Sequence, residues 1–201
     1  MSANAPGKQK RGKLPMARES GQADQRTART RRALLEAFFT LAMERRYEDI
    51  QVNDIIDRAG VGRSTFYEHF SGKNALLVTS LNGPFGTLAD ATQETGDVRK
   101  LTALLMHFRA NRALARSILT GPLRPRTLGV LTRLIERRLT THRGRRGRSL
   151  MVPARLAAVQ LAEGLMAPIS AWINGESNCP AEVLALALHR TSTAIITALS
   201  R

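Results

Sequence analysis

The sequence predicts an all-α protein in which a small three-helix domain precedes a larger helical domain, with about nine helices in all. Apolar residues recur at three- and four-residue spacing in one segment after another, which is typical of amphipathic helices. Glycine and proline separate these segments, as they commonly do at helix ends. No segment alternates apolar and polar residues in the manner of a strand, and no internal repeat is evident.

The 201-residue chain carries a net charge of +15, and the whole excess lies in two patches. Residues 1–32 contain nine Lys and Arg against two acidic residues, and residues 123–148 contain nine against one. The remaining residues are balanced. Since a strongly basic protein attracts anionic partners, nucleic acid is the simplest interpretation.

Composition narrows the other possibilities. The single cysteine, Cys179, allows no intramolecular disulfide, and the sequence shows no spacing of metal ligands. The N-terminus has no apolar segment typical of a signal peptide, and no apolar run approaches the ~18 residues that a membrane span needs. We therefore expect a cytoplasmic protein without membrane association, cofactor or metal.

The N-terminal part is predicted to consist of a basic arm and three helices. Residues 1–25 lack periodic apolar residues and are predicted to be a disordered arm. Residues 26–72 then form a first helix from about Arg26, a second over about 53–59, and a third over about 63–70. Gly60 supplies the positive φ that ends the second helix.

Residues 73–201 are predicted to form the larger domain. Its first helix begins at Lys73 and is interrupted or kinked at Asn82-Gly83-Pro84. A helix opens at Asp97, a basic helix covers 127–141, and THRGRRGR (141–148) is predicted to be a loop. Prolines begin the last two helices, over about 153–173 and 180–199.

The stretch AGVGRSTFYEHFSGK (59–73) predicts a helix-turn-helix, because two short helices are joined by a tight turn that contains glycine. Such a motif places its second helix in the major groove of DNA. Phe66 and Phe70 lie four residues apart and form the inner face of that helix. Lys73 begins the next helix, where its ammonium and the free backbone N–H groups can meet a phosphate.

The segment YEDIQVNDIIDRAGVGRSTFYEHFSGKNALL resembles the DNA-binding domain of the TetR family of one-component transcriptional regulators. The resemblance covers about residues 30–77, where AGV, TFY, HF and Lys-x-x-Leu occur in register. It implies a set of DNA contacts: Arg63, Ser64, Thr65, Tyr67, His69 and Lys73, to which we add Thr30 and Gln51. At Gln51, Gly62 and Gly72 the family usually has hydroxyl or aspartate caps, so potential phosphate contacts are lost there.

The last two helices carry apolar stripes, which are more often core than interface. The resemblance to the family favours the second interpretation and implies a dimer of two helix pairs. A two-fold dimer spans two half-sites of a palindromic operator and so multiplies specificity. The candidate interface residues are Leu161, Leu165, Trp172, Leu184, Leu188, Thr191 and Ile195.

The larger domain is also expected to bind a small-molecule effector of unknown identity, as the resemblance implies. An apolar cavity with few polar anchors is typical of such sites, and His107 or Glu163 are candidate anchors. The candidate lining residues are Phe85, Leu104, His107, Phe108, Leu131, Glu163, Leu165, Met166 and Trp172. Pro168 is expected to kink its helix.

These patterns favour a dimeric DNA-binding regulator, a repressor that an effector releases from its operator. One alternative is an architectural DNA-binding protein without an effector; another is an enzyme built on Cys179 and His189, for which no third partner is evident. The alternative for the helix-turn-helix itself is an ordinary three-helix core whose polar surface residues do not bind DNA. The N-terminal arm is either a solvated tail or a DNA contact, and the patch at 124–148 is either a solvated face or a site for an acidic partner or anionic ligand.

Overall fold

The computed structural model describes the backbone of residues 16–146 and 149–201, and the side chains of residues 25–141 and 149–201. These residues form ten α-helices and one 3-10 helix, with no strand among them, and so the all-α class is confirmed. The helices are α1 (Met16–Glu44), the 3-10 helix (Tyr47–Asp49), α2 (Val52–Ala59), α3 (Arg63–His69), α4 (Lys73–Ser80), α5 (Asn82–Asp90), α6 (Val98–Ala110), α7 (Arg112–Leu119), α8 (Arg124–Arg146), α9 (Ala154–Asn174) and α10 (Ala181–Ala198).

Two helices are longer than the sequence predicted. Helix α1 begins at Met16, ten residues before the expected start, so the predicted disorder of residues 16–25 is wrong; residues 1–15 of that arm lie outside the described residues. Helix α8 continues through residue 146, where a loop from residue 141 was expected. The extension of α1 is rich in good helix formers such as Ala, Glu and Gln, and that of α8 contains three arginines. Each contains one glycine, which costs only about 1 kcal/mol in a helix.

Helices α1, α2 and α3 pack around a small core that we call the head. Leu34 and Phe38 of α1, Ile55 of α2 and Phe66 of α3 are buried there. Helix α4 contacts both α1 and α8, and therefore links the head to the remaining helices, which we call the body. The division into domains at residues 25/26 and 72/73 stays a prediction.

The body packs α8 against α9 and α5, and α10 against α6 and α9. Ion pairs tie α8 to its neighbours: Arg124 binds Glu163 of α9, and Arg138 binds Asp90 of α5 at 2.7 Å. Part of the basic patch at 124–148 therefore holds the body together. Arg126, Arg133 and Arg137 are exposed, and the two predicted roles of this surface stay open.

Helix α9 contains an 18-residue stretch with a mean hydropathy of 1.4, long and apolar enough to cross a membrane by composition. Half of that stretch is buried inside the chain. Its contacts with α7, α8 and α10 identify it as the central helix of the body, which explains its apolar character.

Candidate nucleic-acid interface

The turn between α2 and α3 has the geometry that a helix-turn-helix requires. Gly60 follows α2 with φ 64° and ψ 35°, a left-handed conformation that glycine adopts without steric cost. The N–H of Val61 donates to the carbonyl of Ile56 at 3.2 Å, which closes the end of α2. The chain then reverses within three residues and enters α3 at Arg63.

Helix α3 is held by its two phenylalanines, as predicted. Phe66 is completely buried and Phe70 is buried next to it, with the ring centres 6.2 Å apart. Tyr67 is 50% exposed, and the edge-on contact of its ring with Phe66, at 5.2 Å, orients it. The helix therefore has one apolar side inside the head and one polar side outside it.

The polar side of α3 carries the side chains that were predicted to contact DNA. Arg63, Ser64 and Tyr67 are exposed, whereas Thr65 and His69 are half-buried. Arginine, hydroxyl and imidazole groups read base edges and phosphates in a major groove. The structure thus brings the five predicted α3 residues onto one element with the accessibility of an interface.

Lys73 differs from the prediction. Its ammonium donates to the carbonyl oxygens of Tyr47 at 3.0 Å, Glu48 at 3.1 Å and Ile50 at 2.7 Å, and it lies 4.7 Å from the centre of the Tyr47 ring. An ammonium has three donors, and all three are used. Lys73 therefore closes the 3-10 helix between α1 and α2 and is not free to bind a phosphate, although the backbone N–H groups at the start of α4 are unaffected by this.

Tyr47 forms the second part of this contact. Its hydroxyl donates to Oδ1 of Asn74 at 2.5 Å, and its ring packs edge-on against Phe38. Burial raises the pKa of Tyr47 above its usual value, so the phenol keeps the proton that it donates. The contact joins α1 to the first turn of α4, and sequence reasoning missed it because its partners lie 27 residues apart.

Gln51 and Thr30 stand at two helices of the head. Gln51 is exposed and precedes α2. Its backbone N–H donates to Oδ2 of Asp54 at 2.8 Å as part of a capping box. Thr30 is half-buried on α1.

Arg31, a residue that the prediction omitted, lies over the ring of Phe70 at 4.9 Å. The run of arginines around Thr30 was the signal that could have identified it.

Two acidic groups of the head form close ion pairs with arginines. Arg58 donates to Oε1 of Glu44 at 2.7 Å and holds the pKa of that carboxyl below its usual value. Arg45 lies 3.4 Å from Asp54. Glu44 and Asp54 are therefore paired within the head, whereas Glu68 of α3 and Asp57 of α2 are exposed.

The predicted effector residues fall into two groups. Phe85, Leu131, Leu165 and Met166 are fully buried in the body, and Glu163 is engaged by Arg124. Leu104 is half-buried; Trp172 is buried and donates from Nε1 to the carbonyl of Cys179 at 2.9 Å. His107 and Phe108 line an apolar cavity of about 60 Å³ that lies between the head and the body.

This junction cavity is formed by helices from both sides. Helix α1 lines it from the head with Phe38, Phe39 and Ala42. Helix α4 contributes Leu77 and Ser80, followed by Leu81, and residues of α6 and α7 line it from the body. The Phe39 and His107 rings stack with their centres 6.2 Å apart. The cavity therefore lies where the head and the body meet, nearer to the head than the sequence predicted.

The predicted dimer interface is largely wrong. Leu161, Leu165, Trp172, Leu184 and Leu188 are buried within their own chain, Ile195 is half-buried, and Thr191 is exposed. The exposed apolar residues of the same two helices are others: Leu156, Val159, Val183 and Leu186. The predicted stripe is the inner side of α9 and α10, because these residues meet α8 and α6 in the monomer.

His189 and Cys179, considered above as a nucleophile and base, take part in other contacts. Nδ1 of His189 lies 2.8 Å from the carbonyl oxygen of Ala91, at the end of α5. Cys179 is half-buried beside Trp172. The first contact joins α10 to the end of α5, and the second joins the loop before α10 to α9.

An all-α chain with an exposed recognition helix, held on a three-helix core, defines a helix-turn-helix DNA-binding protein. Comparison with known proteins makes this more specific. The family model described as "Bacterial regulatory proteins, tetR family" matches residues 34–79. The match covers the C-terminal part of α1, all of α2 and α3 and nearly all of α4, so the head resembles the DNA-binding domain of that family.

Two curated relatives extend the similarity. The uncharacterized HTH-type transcriptional regulator YxbF of Bacillus subtilis is 36% identical over 70 residues, which are 34% of this chain and 18% of YxbF. The HTH-type transcriptional repressor KstR of Mycobacterium tuberculosis is 33% identical over 103 residues, 49% of this chain and 46% of KstR. The matched part thus spans less than half of either relative.

Solved structures show the same overall fold. A TetR transcriptional regulator from Streptococcus agalactiae has a TM-score of 0.57 and 24% identity, with 86% of this chain and 98% of that chain covered. RolR, solved with the ligand resorcinol, has a TM-score of 0.52 and 21% identity, with 85% and 94% covered. The body as well as the head therefore has the fold of TetR-family regulators.

Proposed function

We propose that this protein is a sequence-specific transcriptional regulator in the cytoplasm, which binds a palindromic operator as a homodimer and leaves it when a small-molecule effector binds. The observation that carries the proposal is the exposed side of α3, where Arg63 and Tyr67 project from a helix that Phe66 and Phe70 hold in the head. A repressor is the favoured sign of regulation, because KstR, a curated relative, is named as one.

The homodimer is proposed to form through the outer sides of α9 and α10. Leu156 is 60% exposed and Val183 is 55% exposed, with Val159 and Leu186 next to them in the helical repeat. These exposed apolar residues form two pairs, one in the first turns of each helix, and a partner chain would cover them. A two-fold axis here would present two copies of α3 to half-sites separated by a multiple of ~34 Å.

The effector is proposed to bind at the junction cavity. Its apolar lining includes Phe39 and Phe108, and the side chain of Asn111 lies beside His107 at the edge. A volume of about 60 Å³ holds roughly two water molecules, so a larger ligand must move α1 and α4 away from α6 and α7. Because α1 and α4 carry the head, such a ligand favours a different head orientation and lowers operator affinity.

The test is selection of bound DNA from a random pool with the full chain. We expect a palindromic consensus, and phenol and indole, as small apolar probes for the cavity, should be screened for release of that DNA. Arg63→Ala with Tyr67→Ala should lower the preference for the consensus over random DNA by at least about thirtyfold for each half-site, since each base contact contributes about 1–3 kcal/mol and the variant removes two.

The matched control is Arg99→Ala with Met106→Ala, which removes an exposed arginine and a large exposed side chain from α6. It should leave the preference unchanged. The net charge of +15 also suits an architectural DNA-binding protein. That function would replace the proposed one if no sequence is enriched and the ratio of specific to random binding is near one at ~0.15 M salt.

A further inference from the structure

The N-terminal half of α1 extends well beyond the core of the head. Residues 25–29 are all exposed, which is more than one complete helical turn. This turn therefore packs against none of the described part of the chain on any side. A helix that packs no apolar side against the chain contributes little to the stability of the fold, so this turn is expected to contact a partner molecule.

The charge of this segment identifies the chemistry of the partner. Arg26, Arg29, Arg31 and Arg32 occur within seven residues, and no acidic residue lies between Gln25 and Leu35. Elsewhere in the head, Arg45 and Arg58 are paired with carboxylates. A row of guanidinium groups with no acidic residue between them fits the phosphates of a nucleic acid, which arginine binds with two parallel hydrogen bonds.

The position of the segment indicates which part of the nucleic acid it reaches. Arg31 lies over the ring of Phe70, directly after α3, so α1 passes the end of the recognition helix at this point. From Arg29 back to Met16 the helix extends about 20 Å further, at 1.5 Å per residue. That length corresponds to about six base pairs.

We propose that residues 16–32, which we call the arm helix, bind the phosphates of the duplex that flanks each half-site, outside the base pairs that α3 reads. This inference rests on the proposed function. Arg26, Arg29 and Arg32 supply the contacts, and Arg31 holds the arm helix against Phe70. The arm helix thereby adds affinity that depends on the length of the flank and not on its sequence.

The experiment compares two duplexes that contain the selected consensus. One ends at the outer edge of the half-sites, and the other carries about eight further base pairs on each side. We expect the wild type to bind the longer duplex at least about tenfold more tightly, with a steeper salt dependence. Arg26→Gln with Arg29→Gln and Arg32→Gln should bind both duplexes equally, at about the wild-type affinity for the shorter one. The magnitude of its salt slope on the longer duplex should fall by about 5.4, because each protomer of the dimer loses three contacts of about 0.9.

The matched control is Arg133→Gln with Arg137→Gln and Arg190→Gln, which removes the same charge from exposed positions of the body. It should keep the gain from the longer flank. Thermal unfolding and circular dichroism establish that both triple variants fold. If the arm variant keeps the full gain, or if the control loses as much, the flank contact does not exist and the charges act through the general field of the protein.

These outcomes are separate from those of the proposed function. A failure of the proposed function removes the preference for the consensus on both duplexes. A failure of the arm helix leaves that preference intact and abolishes only the difference between the duplexes. If the arm helix binds an acidic protein or an anionic membrane in place of DNA, the affinity for the operator will likewise not depend on the length of the flank.

Discussion

The head and the body differ in how their surfaces relate to their sequence patterns. In α3 the residues predicted to face outward, Arg63 and Tyr67, are exposed, and those predicted to face inward, Phe66 and Phe70, are buried. In α9 and α10 the stripe predicted to face a partner chain is buried in the monomer. The spacing therefore located the inner side of α3 and the apolar stripes of α9 and α10, whereas the assignment of those stripes to a dimer interface, which came from the resemblance to the family, was wrong.

The difference lies in how apolar residues are distributed around each helix. Helix α3 has apolar side chains on one side only, so the inner side follows directly from the spacing. Helix α9 has buried residues such as Leu161 and Leu165 on one side, and exposed ones such as Leu156 and Val159 on another. Where a helix is apolar on two sides, periodicity locates both of them but cannot say which one packs within the chain.

The largest expected effect on stability comes from truncating a leucine on the buried side of α9, compared with the same change on its exposed side. Leu165→Ala should lower the free energy of unfolding by about 3 kcal/mol, because Leu165 is completely buried and its removal leaves a cavity. Leu156→Ala removes the same atoms from a side chain that is 60% exposed. It should change protomer stability by less than about 1 kcal/mol but weaken dimer association.

Urea denaturation, and sedimentation over a range of protein concentrations, measure the two effects. If Leu165→Ala instead dissociates the dimer while the protomer keeps its stability, the original stripe is the interface after all and the two regions do not differ.

A smaller effect is expected at Lys73, where the structure and the prediction for the head disagree. Lys73→Met removes three charge-assisted hydrogen bonds to backbone carbonyls, which should lower the free energy of unfolding by about 2 kcal/mol. The salt dependence of operator binding should stay unchanged. Lys100→Met, at an exposed position of α6, is the control. A loss of about 1.8 from the magnitude of the salt slope of the dimer, about 0.9 for each protomer, with unchanged stability would restore Lys73 as a phosphate contact.

The smallest effect is expected from the exposed pair of Glu44 and Arg58. The hydrogen bond from Arg58 lowers the pKa of Glu44 in the folded state. The stability that it contributes is therefore present above the unfolded-state pKa and is lost as the pH falls through the lowered folded-state pKa. Glu44→Gln should flatten the dependence of the melting temperature on pH slightly between roughly pH 5 and pH 3.

Salt provides the check on this pair. Because both side chains are exposed to solvent, ~1 M salt should remove most of the difference between wild type and Glu44→Gln. A difference that survives in high salt would mean that Glu44 supports the head through something other than its ion pair.

The sequence by itself determined the all-α class, the helix-turn-helix and the two sides of α3. Each of these depends on residues close together in the chain, where helical spacing, the left-handed turn at Gly60 and the pair of phenylalanines act locally. The starts of most helices followed from the same local signals. The start of α1 and the end of α8 did not, because helix propensity extends a helix past the residues that pack.

Only the tertiary structure decided where Lys73 binds, where the cavity lies and which side of α9 is buried. Lys73 meets carbonyls 23 to 26 residues away, Arg124 meets Glu163 39 residues away, and the cavity needs five helices to close it. Contacts between elements far apart in the chain depend on how the helices pack together, and the periodicity of one helix contains no information about its neighbours.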